Sequence, residues 1–137
     1  MTKSEVLRRT WADISLDAID YNFRKIRGAA NGAMVMAIVK ADAYGHGDRM
    51  TAPFLEECGA DWFGVSNLGE ALGIRESGVT KPILILGGTP AECAGDLAEW
   101  NITQTAYSLQ YAKELSAEAE KRGVTVDVHL KFDTGMG

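Results

Sequence analysis

Short apolar runs recur along the chain with polar, helix-patterned stretches between them. The runs are AMVMAIV (33–39), WFGV (62–65), PILIL (82–86), a weaker ITQTAY (102–107) and VTVDVHLKF (124–132). Several are continuous rather than alternating, which suits parallel strands covered on both faces. Between them, Leu16, Ile19, Phe23 and Ile26 recur at helical spacing behind Ser15 as a cap. Asn67 with Glu70 resembles a capping box opening NLGEALGIRES. Thr89, Pro90 and Glu92 read as a stronger one: a cap residue, proline at the first helical position and glutamate at the third. Ser108 opens a longer helix running to about Arg122, and Gly28, Gly59, Gly78 and Gly123 fall where helices end.

Five strands alternating with helices predict an α/β fold with a parallel sheet and right-handed crossovers. Two architectures satisfy that pattern: an open doubly wound sheet and a (β/α) barrel. Both place their chemistry at the strand-to-loop junctions. A complete eight-stranded barrel takes about 250 residues, so five units in 137 residues make only part of one.

Composition narrows the partners. Hydrophobic residues make up 46% and charged residues 24%, an ordinary globular balance for one modest domain. The net charge of −5 argues against nucleic acid or an anionic membrane as the main partner. No apolar run approaches the roughly 20 residues of a membrane span. The opening MTKSEVLRRTWADIS lacks the apolar centre of a secretion signal, so a cytoplasmic location is expected. Cys58 and Cys93 have neither CxxC nor metal-ligand spacing and read as reduced structural thiols, with no metal site implied.

The candidate chemistry lies in VKADAYGHG (39–47). Lys40 ends the first long apolar run, where an ammonium is costly unless it is paired, neutralised or chemically used. An ordinary strand-end lysine packs its stem and keeps its charge in water. Three local features favour chemistry instead: the C-terminal end of a buried strand, a glycine-punctuated loop that lets backbone approach a ligand, and Tyr44 four residues on. A desolvated lysine has a lowered pKa, and its neutral amine attacks carbonyl groups. His46 reads as a loop histidine satisfied by a backbone partner, and Asp133 as a residue that shapes the DTGMG turn.

VKADAYGHG resembles the cofactor-lysine motif of the alanine racemases, pyridoxal-phosphate enzymes of fold type III. WADISLDAIDYNFRKIR is similar to that family's entry segment. WFGVSNLGEALGIRESGVTKPILILGG is similar to its second and third barrel units, and HLKFDTGMG (129–137) to its fifth-strand motif. The stretches stand in the family's order and span the chain from Arg9 onward. The resemblance implies a partial (β/α)8 TIM-type barrel of about five βα units. Residues 1–16 would be a leading strand segment that pairs with an absent C-terminal β domain, and residues 17–137 the first, truncated part of the barrel. It implies pyridoxal 5'-phosphate as cofactor, held covalently by Lys40, which would also act as base and acid on the D-alanine face. Tyr44 would donate its hydroxyl to the cofactor phosphate. Lys131 matches a lysine that is often carbamylated in the family, beside the cofactor ring. The implied activity is interconversion of L-alanine and D-alanine for peptidoglycan precursors, by a homodimer.

In the family an arginine follows the DTGMG turn directly, and a tyrosine from a later domain is the second base. The sequence ends at Gly137, before either, so the 137-residue chain alone is expected to be inactive. Two other readings remain open. One is a broad-specificity amino-acid racemase on the same fold. The other is a non-catalytic pyridoxal-phosphate barrel protein, whose cofactor-lysine motif lacks the ADAYGHG continuation.

Overall fold

A computed structural model describes residues 10–135. Residues 10–15 have no regular structure, and the start of the RRTWADISL segment lies outside the described residues. Helix α1 (Leu16–Ala29) follows, capped by Ser15, whose hydroxyl accepts from the Ala18 amide at 3.2 Å. Strand β1 (Met36–Ile38) leads into a short helical turn α2 (Lys40–Gly45) and then α3 (Asp48–Glu57). Next come β2 (Trp62–Val65), α4 (Leu68–Glu76) and β3 (Ile83–Ile85). A 3-10 turn (Ala91–Cys93) precedes α5 (Ala94–Glu99), β4 (Ile102–Ala106), α6 (Leu109–Arg122) and β5 (Val128–Leu130).

All four strand pairings are parallel, and the spatial order is β1-β2-β3-β4-β5. That order decides between the two architectures. Right-handed crossovers that always step in one direction put every helix on the same face, whereas a doubly wound sheet must reverse direction. The sheet also curls. β2 and β5 are three strand spacings apart, about 14 Å in a flat sheet, yet the Trp62 and His129 rings sit 5.2 Å apart. The described residues form five strands joined by four helical crossovers of a (β/α)8-type barrel, with Trp62 and His129 on its inner face.

Alternation along the strands divides the two faces. Phe63, Val65, Ile83, Ile85 and Ile102 turn outward and are buried with Phe23, Leu55, Ile74, Leu97 and Leu115 of the helices. Ile38, Gly64, Leu84 and Thr103 stand in register on the inner face. The strand that looked weakest in sequence, β4, is buried at every position. Two of its polar residues donate to neighbouring segments: Thr105 to the Ile85 carbonyl at 2.6 Å, and the Gln104 side-chain amide to the Gly87 carbonyl at 2.8 Å.

Two expected helix boundaries are displaced. Thr89 does not cap: Pro90 takes the cap position of the 3-10 turn, and the Thr89 hydroxyl is buried without a hydrogen-bond partner among the described residues. The helix proper begins only at Ala94, because the chain spends one tight turn rounding the end of β3 first. Gly28 lies inside α1, and the left-handed positions that end this helix are Asn31 and Gly32. Gly59, Gly78 and Gly123 do take the positive φ expected after a helix. No helix among the described residues is long and apolar enough to cross a membrane. Cys58 and Cys93 are half-buried free thiols whose pKa burial pushes up.

Two charged residues tie the far ends of the units together. The Arg75 guanidinium on α4 donates to the carbonyls of Val79, Lys81, Trp100 and Asn101, joining the entries to β3 and β4. The Glu56 carboxylate on α3 accepts from the Thr80 amide at 2.8 Å, the Thr80 hydroxyl and the Lys81 amide. Burial pushes the Glu56 carboxyl up, but the Thr80 and Lys81 hydrogen bonds outweigh it and hold the group below its ordinary value of 4.5. A lowered folded value stabilises the protein above the unfolded pKa, and that stability is lost as pH falls through the folded value. Glu56→Gln should therefore cost about 0.5–1 kcal/mol at neutral pH, allowing for solvent screening. In urea titrations at several pH values, the variant and its parent should converge as the medium becomes more acidic than the ordinary glutamate range.

Candidate active site

β1 ends in an unusual backbone. The Val39 amide still pairs with the Gly64 carbonyl at 2.9 Å, and the Val39 side chain is buried in the helix-side core. From Ala41 the chain then turns left-handed for four residues in succession. The φ/ψ values are 51°/53° at Ala41, 55°/45° at Asp42, 50°/44° at Ala43 and 56°/35° at Tyr44. Gly45 and Gly47 continue at positive φ, 86° and 83°. Left-handed helical conformation costs an L-residue roughly 1–2 kcal/mol, and it normally occurs as single residues. A run of four non-glycine residues is therefore held by its surroundings.

The restraints are identifiable. Within the turn, the Ala43 amide donates to the Val39 carbonyl at 2.9 Å and the Gly47 amide to the Asp42 carbonyl at 3.0 Å. The Asp42 side chain accepts from the Asp48 amide at 2.9 Å, tying the turn to the start of α3. His46 donates from Nδ1 to the Ala43 carbonyl at 2.9 Å, the backbone role expected for it, while Thr51 Oγ1 donates to the His46 carbonyl. From the next unit, one Glu70 carboxylate oxygen accepts the Ala41 amide at 2.9 Å, and the other accepts the Ser66 amide at 2.7 Å. The sequence marked Glu70 only as half of a helix cap. Its reach to the lysine turn had no signal in the local pattern.

The turn sets Lys40 and Tyr44 side by side, with Lys40 Nζ 6.0 Å from the Tyr44 ring centroid. Lys40 is half-buried and Tyr44 exposed. Among the described residues no carboxylate pairs with the Lys40 ammonium. Lys131 lies across the sheet, just past the end of β5, its amide bonded to the Ala106 carbonyl at 2.9 Å. Alternation places it on the inner-face row of His129. Lys40 and Lys131 therefore stand at the C-terminal ends of the two edge strands of the curled sheet. Asp133 accepts from the Gly135 amide at 2.8 Å and so shapes the DTGMG turn; residues 136 and 137 of that motif lie outside the described residues.

The C-terminal ends of β2 and β3 approach closely. A Cβ added to Gly87 would meet the Ser66 carbonyl oxygen at 2.5 Å, so only glycine fits there. Beyond it opens a groove of about 570 Å3, lined by Gly88, Thr89, Tyr107, Tyr111, Glu114 and Lys121 among others. Tyr107 and Tyr111 stack in it at 4.9 Å, and burial pushes the Tyr111 phenol up. Neither Lys40, Tyr44 nor Lys131 lines this groove, so the lysine turn is a separate feature.

The family described as alanine racemase, N-terminal domain, matches residues 14–137. The chain belongs to the alanine racemase family. It is 44% identical over 136 residues to alanine racemase 1 of Caldanaerobacter subterraneus subsp. tengcongensis, covering 98% of this chain and 35% of that protein. Among solved structures, the alanine racemase of Clostridium difficile 630 in complex with cycloserine superposes with a TM-score of 0.88 at 37% identity. That match covers 95% of this chain and 36% of the other. The histidine racemase of Leuconostoc mesenteroides subsp. sake superposes at 0.84 with 33% identity, covering 90% and 33%. The chain thus spans about a third of the length of the relatives it matches.

Membership in the alanine racemase family does not relieve the backbone cost of the turn, which makes a direct prediction. At exposed Ala41 (φ 51°), valine should destabilise by about 1–3 kcal/mol, because a β-branched residue is poorly tolerated at positive φ. Ala41→Gly should stay within about 1 kcal/mol of the parent, since relief of strain is offset by a more flexible unfolded chain. Paired urea unfolding curves check both. Equal losses for valine and glycine would show that Ala41 is not left-handed in solution.

Proposed function

We propose that this chain carries the cofactor-lysine part of a pyridoxal-phosphate-dependent alanine racemase. The observation that carries the reading is Lys40 itself. It is an amine with no carboxylate partner among the described residues, at the C-terminal end of a barrel strand and held beside the Tyr44 phenol by a strained turn. That donor set fits an aldehyde that also bears a phosphate: an amine for the carbonyl and a hydroxyl for a phosphate oxygen. Lys40 would hold the cofactor covalently, Tyr44 would hydrogen-bond its phosphate, and Lys131, if carbamylated, would present an anion in place of a cation. Bound there, pyridoxal phosphate supplies the electron sink that makes the α-proton of an amino acid acidic enough to remove.

Once uncharged, Lys40 Nζ accepts a proton from one face of a substrate Cα and can return it to that face. One lysine serves one face only. A racemase therefore needs a second acid–base group opposite, and the relatives are nearly three times the length of this chain. The reading brings with it L-alanine and D-alanine as substrates, D-alanine for cell-wall precursors, and a cytoplasmic homodimer. The similarity to a histidine racemase at nearly the same TM-score favours one second reading, a racemase of broader or different substrate range.

Incubation with pyridoxal phosphate followed by borohydride reduction, then peptide mapping, tests the assignment. The reduced cofactor should be recovered on the peptide containing Lys40 and lost in Lys40→Arg. Recovery on other lysines with Lys40 unmodified would overturn it.

A further inference from the structure

We infer that Glu70 is a positioning residue for Lys40, clamping the lysine turn to the end of β2; this rests on the reading of Lys40 as the cofactor lysine. Glu70 stands at the third position of α4, where a capping-box glutamate normally returns one oxygen to the amide of the cap residue. The first half of that motif is present, since Asn67 Oδ1 accepts the Glu70 amide at 3.0 Å. The second half is redirected. One carboxylate oxygen takes the Ser66 amide, one residue before the cap, at 2.7 Å. The other crosses to the neighbouring unit and takes the Ala41 amide at 2.9 Å. A helix cap has no need of that second bond.

Its consequence falls on Lys40. The Ala41 amide belongs to the peptide plane joining Lys40 to Ala41, so fixing its direction limits how the Lys40 Cα can rotate at the entrance to the left-handed run. Ser66 is a firm anchor, because it follows Val65, whose side chain is fully buried. Glu70 thus couples the strained turn of one unit to the rigid strand end of the next. Two amide donors need two acceptors. A carboxylate provides them, whereas a glutamine side chain offers one carbonyl oxygen and presents N–H to the other amide.

Glu70→Gln and Asn67→Ala separate positioning from capping, because Asn67→Ala removes a helix cap and leaves both Glu70 oxygens in place. Two readouts apply to each variant: borohydride trapping of pyridoxal phosphate at Lys40 as a function of pH, and hydrogen exchange at the Ala41 amide without cofactor. Glu70→Gln should slow trapping at Lys40 about tenfold or more, as small misplacements of a reacting group do, and should speed Ala41 exchange. Asn67→Ala should leave both unchanged. Equal effects of the two variants, or wild-type trapping and exchange in Glu70→Gln, would overturn the inference. If the parent chain does not trap at Lys40 at all, the cofactor reading fails. Ala41 exchange then still decides whether Glu70 restrains the turn.

Discussion

The arrangement at the strand ends depends on one backbone constraint: four consecutive L-residues, Ala41 to Tyr44, wound left-handed immediately after β1. The constraint is anchored at both ends. Upstream, Val39 is locked by the β2 ladder and by core packing. Downstream, Asp42 and the Gly47 turn deliver the chain to α3, whose Thr51, Ala52 and Leu55 are buried. A right-handed turn in the same place would send the chain away from α3 with a different hand and break these contacts together. The local cost is met by non-local packing, the usual way strained backbone persists in a folded protein.

Much of this was legible in the sequence, for reasons that differ by element. β2 and β3 are short continuous apolar runs, and in parallel sheets that pattern has few other meanings. The Ser15 and Ser108 caps were readable because a hydroxyl before an amphipathic helix acts within three residues, giving the bonds to Ala18 and Tyr111. β4 read as weak because Thr103, Gln104 and Thr105 are polar. Its burial depends on hydrogen bonds to Ile85 and Gly87, partners nearly 20 residues away that no local pattern displays. Thr89 and Pro90 looked like a helix start because the cap rules describe a helix that begins at once, not one preceded by a tight turn.

At the candidate site, residue types were more readable than backbone geometry. Lys40 and Tyr44 could be singled out by residue type and position, and Lys131 by resemblance. The left-handed turn could not. Alanine, aspartate and tyrosine carry no marker for positive φ comparable to glycine, and their conformation here is imposed from outside. Glu70 was visible only as a cap, because its second bond spans 29 residues. The strand pattern alone left barrel and doubly wound sheet open; the resemblance implied the barrel, and strand order and the contact between Trp62 and His129, both tertiary facts, agree with it.

The residue types in the turn suggest why strain is tolerated there. Glycine at positions 41–44 would adopt positive φ at no steric cost, yet it would also leave the backbone free to move among several wells. An L-residue with a Cβ has a single narrow left-handed well, so once the chain is forced into it few alternatives remain. Two alanines, an aspartate bonded to the next helix and a tyrosine therefore make a turn that is costly to form and stiff when formed. Glycine appears only at 45 and 47, past Tyr44, where the chain must swing into α3 and no candidate side chain needs a fixed direction. The strain and the stiffness have one origin, and it lies in the peptide planes between Lys40 and Tyr44.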